Sequence, residues 1–187
     1  MKRILTTIIA LVLTIGSAHA ASGIFGTGVV LNNKGALTLY ELTLTGDSRH
    51  TPVNSYPALN SIGWGTTALP SPNLGTFVQG TDKLAFKGGE ILTWKNEGSD
   101  VTGANIYIKI DSGSFSPAYP LTFNEDNLDG KTGDQRWYTA DSTVDLLSGL
   151  AAGTHTISVY IDAMSTDGTH VENNGGANFS ATFTVVK

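Results

Sequence analysis

Strict alternation of apolar and polar residues recurs along this chain, and it restricts the fold more than any other feature. Residues 105–110 (Asn-Ile-Tyr-Ile-Lys-Ile) put Ile106, Ile108 and Ile110 on one side. Residues 154–162 align His155, Ile157, Val159 and Ile161, and residues 178–186 align Phe179, Ala181, Phe183 and Val185. A period of two with one apolar face marks half-buried antiparallel strands. Residues 36–45 are also strand-like, with Leu37 and Leu39 on one face and Tyr40, Leu42 and Leu44 on the other. Shorter strands are expected at 24–31, 75–79, 83–86, 90–95 and 135–138.

The segments between them carry turn chemistry. Asn32-Asn33-Lys34-Gly35 reads as a hairpin turn. Lys87-Gly88-Gly89 reads as a break between two short strands, Asp111-Ser112-Gly113 as a strand end, and Asn173-Asn174-Gly175-Gly176 as the turn before the last strand. No ten-residue window has a helical period, and residues 146–150 allow one turn at most. The expected fold class is therefore all-β: an immunoglobulin-like sandwich of two antiparallel sheets with about eight or nine strands.

The first twenty residues do not belong to this pattern. Met1-Lys2-Arg3 is basic, residues 4–15 are almost wholly apolar, and Ala18-His19-Ala20 supplies small residues at a cleavage site. This is a three-part secretory signal, with cleavage expected after Ala20. The apolar run falls short of the roughly 20 residues a spanning helix requires. Residues 1–20 are thus read as a signal peptide and 21–187 as one sandwich domain, with no membrane span. The expected location is secreted or cell-surface, with the periplasm as the other compartment on that route. The domain contains no cysteine, so no disulfide, thiolate metal site or cysteine nucleophile is available, and an ordinary core must hold it together.

The net charge is −5 and becomes more acidic once Lys2 and Arg3 are removed. That balance argues against nucleic acid as a partner. Catalytic signatures are also missing. There is no Gly-x-Ser-x-Gly elbow, and His50, His155 and His170 sit in no zinc or triad motif. The chain is read as a non-enzyme. His155 begins a strand after Gly153, where a ring nitrogen can bond back to the backbone as a corner tyrosine does in related sandwiches.

From Asn73 onward the chain resembles a secreted β-sandwich module of Bacteroidota and related bacteria. The resemblance is carried by Asn73-Leu-Gly-Thr-Phe77, Leu84-Ala-Phe-Lys-Gly-Gly-Glu-Ile-Leu-Thr-Trp-Lys-Asn96 and Val101-Thr-Gly-Ala-Asn-Ile-Tyr107. It continues through Gly133-Asp-Gln-Arg-Trp137, Asp145-Leu-Leu-Ser-Gly-Leu-Ala-Ala-Gly-Thr-His155 and Asn173-Asn-Gly-Gly-Ala-Asn-Phe179. The module occurs alone, beside surface-sorting tails, or appended to enzymes that degrade starch and other polysaccharides. No catalytic set travels with it, so the resemblance implies an accessory role rather than a reaction.

Two kinds of site follow from the residues. Residues 46–73 form a long loop with four of the six prolines, and such loops in compact domains are usually functional or mobile. It carries Trp64 between Gly63 and Gly65, and Tyr56 close by. Trp137 and Tyr138 follow a second, acidic loop. Trp and Tyr rings match the flat C–H faces of sugars, so Trp64, Tyr56, Trp137 and Tyr138 are the candidate ligand-binding residues. Trp94, within a strand, reads as the central core ring. The acidic loop 124–134 holds Asp126, Asp129 and Asp134 among glycines. It reads either as a calcium loop or as a solvated loop with Asx turns; no other cofactor is expected. The functional expectation is a binding module for a glycan or cell-surface polymer. The alternative is a structural protein that self-assembles into fibres or a coat by strand addition, with residues 24–31 as the donor strand.

Overall fold

The structure is a computed structural model and describes residues 21–42 and 73–187. The expected signal peptide and nearly all of the 46–73 loop, with Tyr56 and Trp64, lie outside the described residues. Among the described residues, twelve strands form two six-stranded sheets. In the first, β1 (Ser22–Asn33), β2 (Ala36–Glu41), β4 (Leu84–Lys95), β7 (Thr122–Asp126) and β8 (Asp134–Thr139) run in the order β2-β1-β4-β8-β7, and β9 (Val144–Asp145) also pairs with β4. In the second, β3 (Asn73–Val78), β5 (Val101–Ile110), β6 (Tyr119–Pro120), β10 (Gly153–Ser165) and β12 (Phe179–Val186) run β3-β12-β10-β5-β6, and β11 (Gly168–Glu172) pairs with β10. Every pairing is antiparallel except β3 on β12, which is parallel. The fold is an all-β, two-sheet sandwich.

The alternation read from the sequence explains which residues meet between the sheets. Val29, Leu31, Tyr40, Leu42, Leu84, Phe86, Ile91 and Trp137 come from the first sheet. Ala104, Ile106, Ile108, Ile157, Val159, Ile161, Phe179, Ala181 and Phe183 come from the second. At roughly 25 cal/mol per Å² of apolar surface removed from water, this core between the sheets is the main source of stability in a chain without disulfides.

The hairpin forms where expected. Lys34 and Gly35 both take positive φ (52° and 92°), the geometry of a two-residue turn between twisted strands. The Asn32 side chain accepts a hydrogen bond from the Gly35 amide at 2.8 Å.

Two expectations are corrected. Residues 83–86 and 90–95 are one strand, β4, rather than two. Gly88 and Gly89 are not a turn; they let β4 pass close between its neighbours. A Cβ on Gly88 would lie 2.0 Å from the Thr139 carbonyl oxygen, and one on Gly89 would lie 2.3 Å from that of Gly28. Glycine inside a strand commonly marks such an approach. The short strands β6, β7, β9 and β11 add to the expected eight or nine. The 24–31 segment lies within β1, which sits between β2 and β4 and pairs with both.

Candidate functional site

Trp137 and Tyr138 are neighbours on β8, so their side chains point to opposite faces. Trp137 faces the core, where its Nε1 donates to Thr93 Oγ1 at 3.3 Å and the Phe123 ring meets it edge-on at 5.2 Å. Tyr138 lies on the outer face of the first sheet against Val30 and Leu39. Each is only 7% exposed. They therefore form no shared platform, and neither ring has an open face for a sugar. The reason is position: β8 is an interior strand, with β4 and β7 on either side.

Trp94 and Trp137 exchange the roles expected of one of them. Along β4, Ile91 packs in the core and Leu92 and Trp94 lie on the other side, with Phe25 and Leu128. Gly23 makes room for that indole, since a Cβ there would stand 2.7 Å from Trp94 Nε1. Trp137 is the tryptophan of the main core.

The acidic residues of the loop do not converge: Glu125 faces Arg136 at 3.7 Å, and Asp126 faces Lys95, which pairs more closely with Asp100 outside the loop. Lys95 Nζ is 2.8 Å from Asp100 Oδ1 and 3.9 Å from Asp126 Oδ2. Asp134 is buried at the start of β8, and the Asp129 side chain lies outside the described residues. Among the described residues no group of three or more His, Asp or Glu side chains converges as metal ligands would.

A cluster of Ser, His and Asp does occur at the turn between β10 and β11, but its geometry is that of a clasp. Ser22 Oγ donates to Asp167 Oδ1 at 2.5 Å and lies 2.9 Å from His170 Nε2. The Ser22 amide donates to Asp167 Oδ2, and the Ser99 and Ser165 hydroxyls also donate to Asp167. The Ser165 hydrogen bond first, and then those of Ser22, hold the carboxyl of Asp167 far below the usual carboxylate range. A catalytic relay has the carboxylate on the imidazole nitrogen remote from the nucleophile. Here the carboxylate bonds the serine directly, and Asp167 and Ser22 approach the same ring nitrogen. The cluster fixes the start of β1 to the second sheet.

The outer face of the second sheet offers a different surface. Tyr107 on β5 and Tyr160 on β10 are register partners, with ring centroids 4.4 Å apart and planes 6° from parallel. Phe115 meets Tyr160 edge-on at 4.7 Å, and Lys109 Nζ lies 4.8 Å from the Phe115 ring centroid. Asp162 accepts from Tyr107 Oη at 3.0 Å and from Asn105 Nδ2 at 2.8 Å. Burial, then the Asp162 hydrogen bond, pushes the Tyr107 phenol up to about 12, so it remains a donor at ordinary pH. Further along, Val171 sits opposite Asp162 and Met164 opposite Gly103, and they are 49% and 43% exposed. The result is a stripe of rings and apolar side chains flanked by amide, carboxylate and ammonium groups.

These residues had a signal in the sequence. Tyr107 lies between Ile106 and Ile108, and Tyr160 between Val159 and Ile161. Both are aromatic residues at the solvent-side positions of an alternating strand, where small or charged residues are usual. That the two meet depends on strand pairing, which the sequence does not state.

His155 holds the corner expected of it. Its Nε2 is 2.9 Å from the Ala151 carbonyl oxygen and its Nδ1 is 2.7 Å from Asp111 Oδ2. No family model matches the chain, and no curated protein matches it.

Proposed function

We propose that the protein is an exported, non-catalytic module that binds a glycan or cell-surface polymer across the outer face of its second sheet. The observation that carries this reading is the Tyr107–Tyr160 stack, held by Asp162 and bordered by Phe115, Met164 and Val171. Stacked rings on paired strands are pre-organised, so little side-chain entropy is lost on binding. Their C–H edges and the neighbouring apolar groups suit the apolar faces of pyranose rings, while Lys109 and Asp162 supply hydrogen-bonding groups for hydroxyls. The signal-like leader and the resemblance to modules found beside polysaccharide-degrading enzymes support the same assignment.

Glycan-array and affinity-electrophoresis profiles of the protein and of Tyr160→Ala test it. The expected result is retention by one or more polysaccharides and a loss of about tenfold or more in affinity in the variant. Equal retention of the two proteins on every polysaccharide that binds would remove this face from the function.

A further inference from the structure

The sequence contains one Asn–Gly pair, Asn174-Gly175. It lies in the connection between β11 and β12, and both residues are exposed. The chain turns there through left-handed residues: φ is 51° at Asn174, 64° at Gly175, 96° at Gly176 and 61° at Asn178. Asparagine and glycine occupy this region at the least cost, so the turn itself selects the pair. Gly176 and Asn178 donate their amides to the Asn173 carbonyl at 3.1 and 2.8 Å, and Ala177 donates to that of Asn174 at 3.2 Å. The Gly175 amide belongs to none of these bonds. A Cβ built on Gly175 meets no atom within 4 Å, so there is room around that amide. The Asn174 side chain is held by its Nδ2, which donates to the Asn178 carbonyl oxygen at 3.2 Å. That bond is what the side chain gives up to reach its own backbone.

We infer that Asn174 is a site of self-modification, converted to isoaspartate and aspartate through attack by the Gly175 amide. The Gly175 nitrogen loses its proton and bonds to Asn174 Cγ. The Cγ–Nδ2 bond breaks, and Nδ2 leaves as ammonia with that proton. The product is a five-membered succinimide. Water then opens the ring at either carbonyl. Breaking the new Cγ–N bond gives aspartate; breaking the original peptide bond gives isoaspartate, with the chain running through the side chain. The net change replaces NH2 by OH and consumes only water. Nucleophile and electrophile sit on adjacent residues, so the reaction gains the advantage of proximity, and glycine puts no side chain in the way. Asp167-Gly168 has the same following residue but a different setting. Asp167 accepts from the Ser22 amide and from the Ser22 and Ser165 hydroxyls, which favour the carboxylate, a poor electrophile. Asn173 is also held, since its Oδ1 accepts from the Gly176 amide at 2.9 Å. Conversion at 174 removes the Nδ2 donor, adds a negative charge near Glu172, and in the isoaspartate lengthens the main chain just before β12. The inference rests on this turn and does not depend on what the second sheet binds.

The test uses the unmutated protein, folded and unfolded in guanidinium, held for weeks in mildly acidic and mildly alkaline buffer. Peptide mass spectrometry locates each conversion, enzymatic carboxyl methylation detects isoaspartate, and released ammonia is counted per chain. The expected result for the folded protein is conversion at Asn174, with one ammonia released per chain on completion. It should be faster in alkaline buffer, because the amide must lose its proton. Asp167 and Asn173 should remain unchanged over the same time. The Asn174→Gln variant should stay intact at 174, because its longer side chain cannot close the five-membered ring. Conversion at 174 in the unfolded chain alone would overturn the inference, since the turn would then protect the site. Comparable conversion at Asn173, or equal ammonia release from Asn174→Gln, would overturn it as well.

Discussion

Tyr107 and Tyr160 face one another across β5 and β10 with their rings nearly parallel, and only Tyr107 donates its hydroxyl to Asp162. Stack and hydrogen bond are therefore separable. Tyr107→Phe keeps the stack and should cost about 1 kcal/mol, the worth of one such bond. The coupling between Tyr107→Ala and Tyr160→Ala should be about 0.5–1.5 kcal/mol. A double-mutant cycle by urea unfolding measures it; additive losses would mean that the rings share a face without stabilising one another.

Glu90 and Arg136 form an ion pair at 3.1 Å, 3% and 1% exposed. Glu125 is a more distant partner at 3.7 Å. Removing one member of a buried pair leaves the other desolvated, so Glu90→Ala should cost about 3–5 kcal/mol. Glu90→Leu with Arg136→Met should recover much of that loss, because no charge is left buried.

The same pair makes a pH prediction. Burial raises the Glu90 carboxyl from 4.5 to about 7, against the opposing pull of Arg136. The folded chain then binds more protons than the unfolded chain between those values. This contribution to stability is present below the unfolded value and is lost as pH rises towards 7. Urea titrations from pH 4 to 8 should show that loss in the parent protein and not in Glu90→Gln. Parallel profiles would exclude it.

Gly88 provides a steric test. Its φ is +127°, and a Cβ there would overlap the Thr139 carbonyl. Gly88→Ala should destabilise by about 2 kcal/mol or more, combining backbone strain with overpacking. Gly149→Ala is the control. It also has a positive φ, of 74°, but nothing lies within 4 Å of its Cβ, so it should lose less. Equal losses would show that conformation alone accounts for Gly88.

These cases separate what the sequence can express from what it cannot. Alternation is local, so β5, β10 and β12 were legible, along with their inward faces. The hairpin turn was legible because Gly35 suits its positive φ and Asn32 caps it through the Gly35 amide. Gly88-Gly89 was misread because a glycine pair has the same local signature in a turn and in a close crossing, and only the neighbouring strands differ. Trp94 and Trp137 were exchanged for a similar reason. Both lie in strands, and which face turns inward depends on where β4 and β8 sit in the sheet. The Tyr107–Tyr160 surface was missed because neither strand alone shows that its tyrosine will find the other.

His155 was the histidine whose place was readable in advance, and its two bonds set a pH dependence. A neutral ring donates from one nitrogen, whereas Asp111 and the Ala151 carbonyl both present acceptors, so the imidazolium satisfies both. The Asp111 hydrogen bond first, and then that of Ala151, raises the pKa of His155 above 6.5; the same partnership with His155 lowers Asp111 below 3.8. The histidine contribution is complete below pH 6.5 and is lost as pH rises through the raised value. The aspartate contribution is complete above 3.8 and is lost as pH falls through the lowered one. The pair should stabilise most between these limits. Asp111 is 45% exposed, so the effect should shrink as salt is added. Urea unfolding of the parent and of His155→Gln from pH 3 to 9, at low and high salt, measures it. The advantage of the parent should peak in mildly acidic solution and decline on the alkaline side. A constant difference across the range would mean that His155 acts through packing against Phe183, 5.6 Å away, and not through its charge.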